Sequence, residues 1–167
     1  MRIALSGAPG TGKTHLAAHL AEHVEVRSVH GLAALHGLLG AVEVDGARPV
    51  DVAALCAHRE AWPSDLVVDG HLSHLLGLDA VVVLRCHPNV VADRLQYRGY
   101  ASAKVAANVE WERLGGVVAE LLDADEGLPM LELDTTARTV EDLVNEVMAW
   151  RMDGCPERGP ASIDWLG

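Results

Sequence analysis

Eight consecutive residues, Gly7-Ala8-Pro9-Gly10-Thr11-Gly12-Lys13-Thr14, combine glycines, one lysine and one hydroxyl at the spacing G-x-x-x-x-G-K-[ST], the Walker A pattern. They follow an apolar run, Arg2 to Ser6, and open a helical pattern, which is the context the motif requires. Such a stretch turns its successive N–H groups into one hollow and adds the positive end of a helix dipole, so it suits a polyphosphate anion. Gly10, Thr11, Gly12 and His15 are candidates to line the nucleotide, Lys13 to reach the β and γ phosphates, and Thr14 to ligate Mg²⁺.

Asp69 ends a second apolar run, Leu66 to Val68, where a strand would present a carboxylate to that metal. A plain Asp69-Gly70 turn is the alternative. His71 stands two residues on, placed to orient a water or a phosphate unless it simply faces solvent. Arg94 and Arg98 fall on one face of a predicted helix, with Arg85 upstream and Lys104 beyond, a set that could clamp phosphate oxygens as charge develops. Ion pairs with Asp93 or Glu110 would also account for some of them. His15, His19 and His23 recur every four residues without an acidic or Cys partner, so they read as solvent-facing rather than metal-binding. Trp62, Trp111, Trp150 and Trp165 read as packing residues.

These side chains need a scaffold, and the rest of the chain supplies one. Apolar runs at Arg2–Ser6, Val24–Ser28, Leu66–Asp69, Ala80–Cys86 and Met130–Leu133 alternate with helical patterns at Lys13–His23, Leu32–Leu39, Val50–Ala61, Asn89–Arg98, Ser102–Leu122 and Val140–Met152. Alternation of this kind predicts an α/β fold with a parallel five-stranded sheet covered by helices. Thr139 before Glu141 and Asp142, and Pro88, mark two helix starts. Residues 153–167 read as a loose tail that Trp165 could pin.

At 167 residues the chain fits one domain. A net charge of −11, with lysine only at Lys13 and Lys104, disfavours sequence-independent binding to nucleic acid. The acidic surface suits concentrated salt as well as plain solubility. Cys56, Cys86 and Cys155 are widely spaced and form no CxxC pair, consistent with reduced cytoplasmic thiols, and no apolar stretch approaches the length of a membrane span.

Taken together, the motifs resemble the adenylate kinase isoenzyme-six family of archaea and eukaryotes over Met1 to about Met152. VVDGHLSHLL, Val67 to Leu76, is similar to that family's Walker B segment, with Asp69-Gly70-His71 as its Asp-x-His. VVVLRCHPNVVADRLQYRGY, Val81 to Tyr100, followed by Lys104, Asn108 and Glu112, resembles its fifth-strand-to-lid region. The resemblance implies a doubly wound P-loop fold of the nucleoside monophosphate kinase type within residues 1–152. It places an acceptor-nucleotide segment at 29–52, a lid at 98–108 with Arg98 on the nucleotide, and the backbone near Ala137 beside adenine. It also implies Mg-ATP-dependent adenylate kinase and ATPase activity, and a role in small-subunit ribosome maturation through a ribosomal protein of the S-eleven family. Ala34 stands where the family carries an arginine that grips the monophosphate, with Arg48 as a substitute within the next loop. A P-loop kinase for a non-nucleotide metabolite and a nucleotide-gated binding module remain open beside this reading.

Overall fold

Alternation of side chains along each strand divides the core into two layers. In a computed structural model describing residues 1–44, 46–124, 127–158 and 163–166, the strands are β1 (Arg2–Gly7), β2 (Val26–Ser28), β3 (Leu66–Asp69), β4 (Ala80–Arg85) and β5 (Met130–Asp134). They form one sheet in the order β2-β3-β1-β4-β5, and every neighbouring pair is parallel. On β1, Ile3 and Leu5 face one cluster and Ala4 the other; on β4, Ala80, Val82 and Leu84 oppose Val81 and Val83. A strand buried on both faces must be apolar throughout, which is why β4 reads as an unbroken aliphatic run.

Helices α1 (Lys13–Leu20) and α7 (Val140–Met152) cover the first face, where Leu16, Leu20, Val147 and Trp150 are buried. The fully buried Trp150 donates its indole N–H to the Pro156 carbonyl at 2.8 Å. The second face is covered by α2 (Val29–Leu35), α3 (Val52–Ala57) and α6 (Gly116–Asp123), while α4 (Pro88–Tyr97) and α5 (Ser102–Arg113) pack together beyond β4 through Val91, Leu95 and Val105. The expected doubly wound parallel sheet is therefore present. Among the described residues, no helix is long and apolar enough to cross a membrane.

Local chemistry moves several boundaries away from those expected. The predicted helix 102–122 divides into α5 and α6 because Gly115 takes a left-handed conformation, φ 63°, and the Arg85 guanidinium fills the space beside it. Helix α2 begins at Val29 rather than Leu32, since Ser28 caps it by accepting from the Gly31 N–H at 2.9 Å. The stretch predicted as one helix over 50–61 holds α3 and then a separate 3₁₀ turn, Arg59–Ala61. Thr139 caps α7 as expected, accepting from the Asp142 N–H at 3.2 Å.

Arg85 does not join the phosphate-clamping cations. It is 3 % exposed, and its Nε donates to Glu112 Oε1 and its Nη1 to Glu132 Oε1, both at 2.8 Å. Burial pushes the Glu112 carboxyl above its ordinary value, against the pull of Arg85. The chain's end closes over this network: Trp165 Nε1 donates to Glu112 Oε1 at 3.1 Å, and the Ile163 N–H donates to Glu132 Oε2 at 3.2 Å. The segment read as a loose tail is thus anchored at its described residues 163–166. Glu112→Gln, which leaves a buried guanidinium short of countercharge, should lower unfolding free energy by about 3 kcal/mol, and Trp165→Ala by about 1 kcal/mol, in urea titrations. Equal midpoints for the three proteins would contradict this account of the network.

Candidate functional site

β1 delivers the glycine loop to the carboxyl edge of the sheet, beside the ends of β3 and β4. Its first residue must be glycine: Gly7 has φ 144°, and a Cβ there would lie 2.5 Å from the Leu84 carbonyl oxygen. Thr11 closes the turn, its hydroxyl donating to the Ala8 carbonyl at 2.8 Å. Thr135 ties the loop to the sheet, its hydroxyl lying 2.7 Å from the Thr11 carbonyl and 3.0 Å from that of Arg85. No side chain caps the start of α1, so its first N–H groups point toward an anion.

Lys13 reaches back into this loop and donates from Nζ to the Gly7 and Ala8 carbonyls at 2.7 and 2.8 Å. Burial lowers its pKa to about 8; Asp69 and then Glu112 oppose the shift, and Arg98 adds to it. Asp69 shifts upward for the same first reason, held back by Lys13. Its Oδ1 is buried without a hydrogen-bond partner among the described residues. An orphaned carboxylate oxygen sharing a hollow with the Thr14 hydroxyl is a hard-oxygen donor pair that fits Mg²⁺. His71 shifts downward through burial first and then through Lys13, His30 and His74, which favours a neutral ring at pH 7.

The two arginines of α4 behave differently. Arg94 Nη1 donates to the Gly10 carbonyl at 2.9 Å, which fastens α4 to the loop. Arg98, at the helix end, is exposed and has no ion-pair partner among the described residues. Lys104 sits 5.2 Å from the Tyr100 ring centroid.

Three hollows meet at the loop. A phosphate-sized one of about 250 Å³ is lined by Gly10, Gly12, Lys13, Thr14, His15, Asp69, His71 and Arg98. It shares Gly10, Gly12, His15 and Arg98 with a cavity of about 770 Å³ that also includes Thr11, Arg94, Tyr97, Arg138 and Leu143. On its other side it shares Pro9, His71 and Tyr100 with a cavity of about 470 Å³ bounded by Leu75, Trp111 and Glu120. Ala137 is exposed and lies outside these walls, although Thr135 and Arg138 beside it line the cavity of about 770 Å³.

Ala34 is an exposed residue of α2, and Arg48 spends its guanidinium on the Gly40 carbonyl at 3.0 Å and the Leu39 carbonyl at 3.5 Å. Among the described residues, no group of three His, Cys, Asp or Glu could hold a metal, so the histidines of α1 form no such cluster. Sequence reading passed over Thr135, Arg138, Ser6, His74 and Glu120. Thr135 and Arg138 both follow β5; Thr135 bonds Thr11 across 124 positions of sequence and Arg138 lines the cavity of about 770 Å³, and no local spacing marks them.

The arrangement is similar to known proteins at two levels. Shikimate kinase from Acinetobacter baumannii superposes with a TM-score of 0.63 over 92 % of this chain and 93 % of its own, at 14 % identity, a likeness of fold. The family model described as AAA domain matches residues 3–115. The protein named "Putative adenylate kinase" of Pyrococcus furiosus is 40 % identical, covering 99 % of this chain and 91 % of its own length. That of Halobacterium salinarum is 37 % identical over 99 % of this chain and 98 % of its own. With a Walker A loop set on a doubly wound parallel sheet and full-length identity at this level, the chain belongs to the same family as these archaeal proteins.

Proposed function

We propose that this protein is an Mg-ATP-dependent nucleoside monophosphate kinase that also hydrolyses ATP. The observation that carries the reading is the sharing of walls among the three hollows, which supports a phosphate site in the small hollow between two larger cavities. ATP would lie with its base and ribose in the cavity by Arg98 and Arg138, and the acceptor in the cavity by Trp111 and Glu120. The roles proposed within residues 1–152 are an acceptor segment at 29–52 and a lid at 98–108, in a cytoplasmic protein.

Phosphoryl transfer asks a protein mainly for position and countercharge. Lys13 exchanges the Gly7 and Ala8 carbonyls for phosphate oxygens, and Arg94 holds the loop while Arg98 swings over the transferred group. Thr14 and Asp69 would hold Mg²⁺, which supplies charge neutralisation at the β and γ oxygens. In transfer, an acceptor phosphate oxygen attacks the γ phosphorus as the bond to the bridging oxygen breaks and ADP departs. In hydrolysis, water takes the acceptor's place, oriented by a neutral His71. Hydrolysis needs no grip on a monophosphate, so Ala34 leaves it intact.

Lys13→Met should lower kcat/KM for ATP by roughly 10³-fold in a coupled assay with and without AMP. Turnover at the parent level would remove Lys13 from the reaction. The same lysine sets a pH dependence. With a pKa of about 8 it is charged below that pH, and bound phosphate holds it charged. ATP binding should therefore take up about half a proton at pH 8, and affinity should fall as pH rises above it. Calorimetry in two buffers of different ionisation enthalpy measures the uptake, and identical heats would refute it.

A second reading rests on the charge of −11 and on exposed Leu35, Val42 and Val44 in the acceptor segment. An acidic chain with exposed apolar side chains suits a basic protein segment, and we propose the S-eleven ribosomal protein as the partner held in the ATP state during small-subunit maturation. Its affinity should differ between ATP- and ADP-loaded protein by at least about fivefold. Equal affinities would leave no nucleotide switch.

A further inference from the structure

A chain of hydrogen bonds runs from the core into the second cavity and is not used by the phosphate chemistry. Ser6 is 0 % exposed in β1, and its hydroxyl lies 2.8 Å from His74 Nδ1. His74 Nε2 in turn donates to Glu120 Oε2 at 2.7 Å. Exposure rises along the chain: the His74 side chain is 2 % exposed and that of Glu120 is 44 % exposed. A serine so deeply buried cannot meet a substrate, so it acts as an anchor for the ring. The chain ends on a carboxylate whose other oxygen, Oε1, has no partner among the described residues.

An exposed glutamate ordinarily samples many rotamers, and holding it by a buried histidine removes that entropy before a ligand arrives. We propose that Glu120 selects the acceptor base, taking a hydrogen bond from an exocyclic amino group of the nucleobase. The proposal rests on the acceptor reading of this cavity and adds what decides its occupant.

The cavity's walls orient that occupant. Pro9 and His71 are shared with the phosphate hollow, whereas Leu75, Trp111 and Glu120 are not. A monophosphate would be repelled by a carboxylate and drawn toward Lys104 of the same cavity and Lys13 of the adjoining hollow, so its base points to Glu120. Trp111 is 39 % exposed and offers an aromatic face for that base. Its indole is set by Gly116, where a Cβ would collide with the ring. A carboxylate only accepts hydrogen bonds. It therefore favours adenine, with its 6-amino donor, and rejects hypoxanthine, which is the same size but carries a carbonyl at that position.

AMP and IMP make the test, titrated by calorimetry into the full chain loaded with a non-hydrolysable ATP analogue. AMP should bind the parent protein about 10-fold more tightly than IMP. Glu120→Gln, whose amide both donates and accepts, should bring the two within about threefold. Because the ratio is taken within one variant, a general loss of stability moves both affinities together. Equal affinities in the parent, an undiminished ratio in the variant, or binding of neither monophosphate would overturn the role of Glu120. A parallel phosphoryl-transfer assay separates the two claims. Selective AMP binding without transfer fails the kinase reading alone, and transfer to AMP and IMP alike fails this inference alone.

Discussion

An ammonium group held against two carbonyl oxygens of its own loop is the constraint around which this molecule is arranged. Lys13 donates to the Gly7 and Ala8 carbonyls of its own loop, a position with little water, and burial brings its pKa down to about 8. A cation kept there is incompletely solvated and gains most from a polyanion. The same low dielectric leaves Asp69 with an unpartnered buried oxygen. Burial thus leaves two opposite charges at the loop incompletely satisfied, Lys13 and Asp69, each offsetting the other only in part.

Holding that incompletely satisfied pair requires rigidity elsewhere. The loop cannot be stabilised by covering it, so it is tied from beneath and from the sides: Thr135 bonds it to the sheet, Arg94 to α4, and Gly7 packs against the Leu84 carbonyl. The strand order β2-β3-β1-β4-β5 matters for the same reason. With β1 central, its loop emerges between elements that cover opposite faces, and a ligand can approach from both sides. The two larger cavities are the two halves of that opening.

A second buried cation performs a structural task. Arg85 ends β4 only three strand positions beyond Val82, yet its guanidinium turns into a closed set with Glu112 and Glu132 instead of toward phosphate. It joins the sheet to α5 and receives the described end of the chain through Ile163 and Trp165. Helix α5, whose first half lies in the proposed lid, is therefore anchored to the sheet at its far end.

Much of this was legible without coordinates. The parallel α/β class follows from aliphatic runs separated by helical patterns, and the loop at Gly7 to Thr14, Asp69 and the α4 arginines follow from short-range spacing, which local backbone geometry obeys. The helix break at Gly115 was visible as a residue but not as a decision, because glycine also occurs within helices; the Arg85 guanidinium beside it made the position. Arg85 itself shows the limit most clearly: sequence supplies a cation near other cations, and only packing shows that two acidic side chains, 27 and 47 residues away, claim it. Thr135 on the loop and the Ser6–His74–Glu120 chain are likewise long-range contacts. Amino-acid order alone determined the phosphate loop and the sheet that carries it, since both arise from neighbours in the chain. Tertiary structure alone decided which charges meet an open cavity and which neutralise one another in the core, since that depends on residues brought together from distant segments.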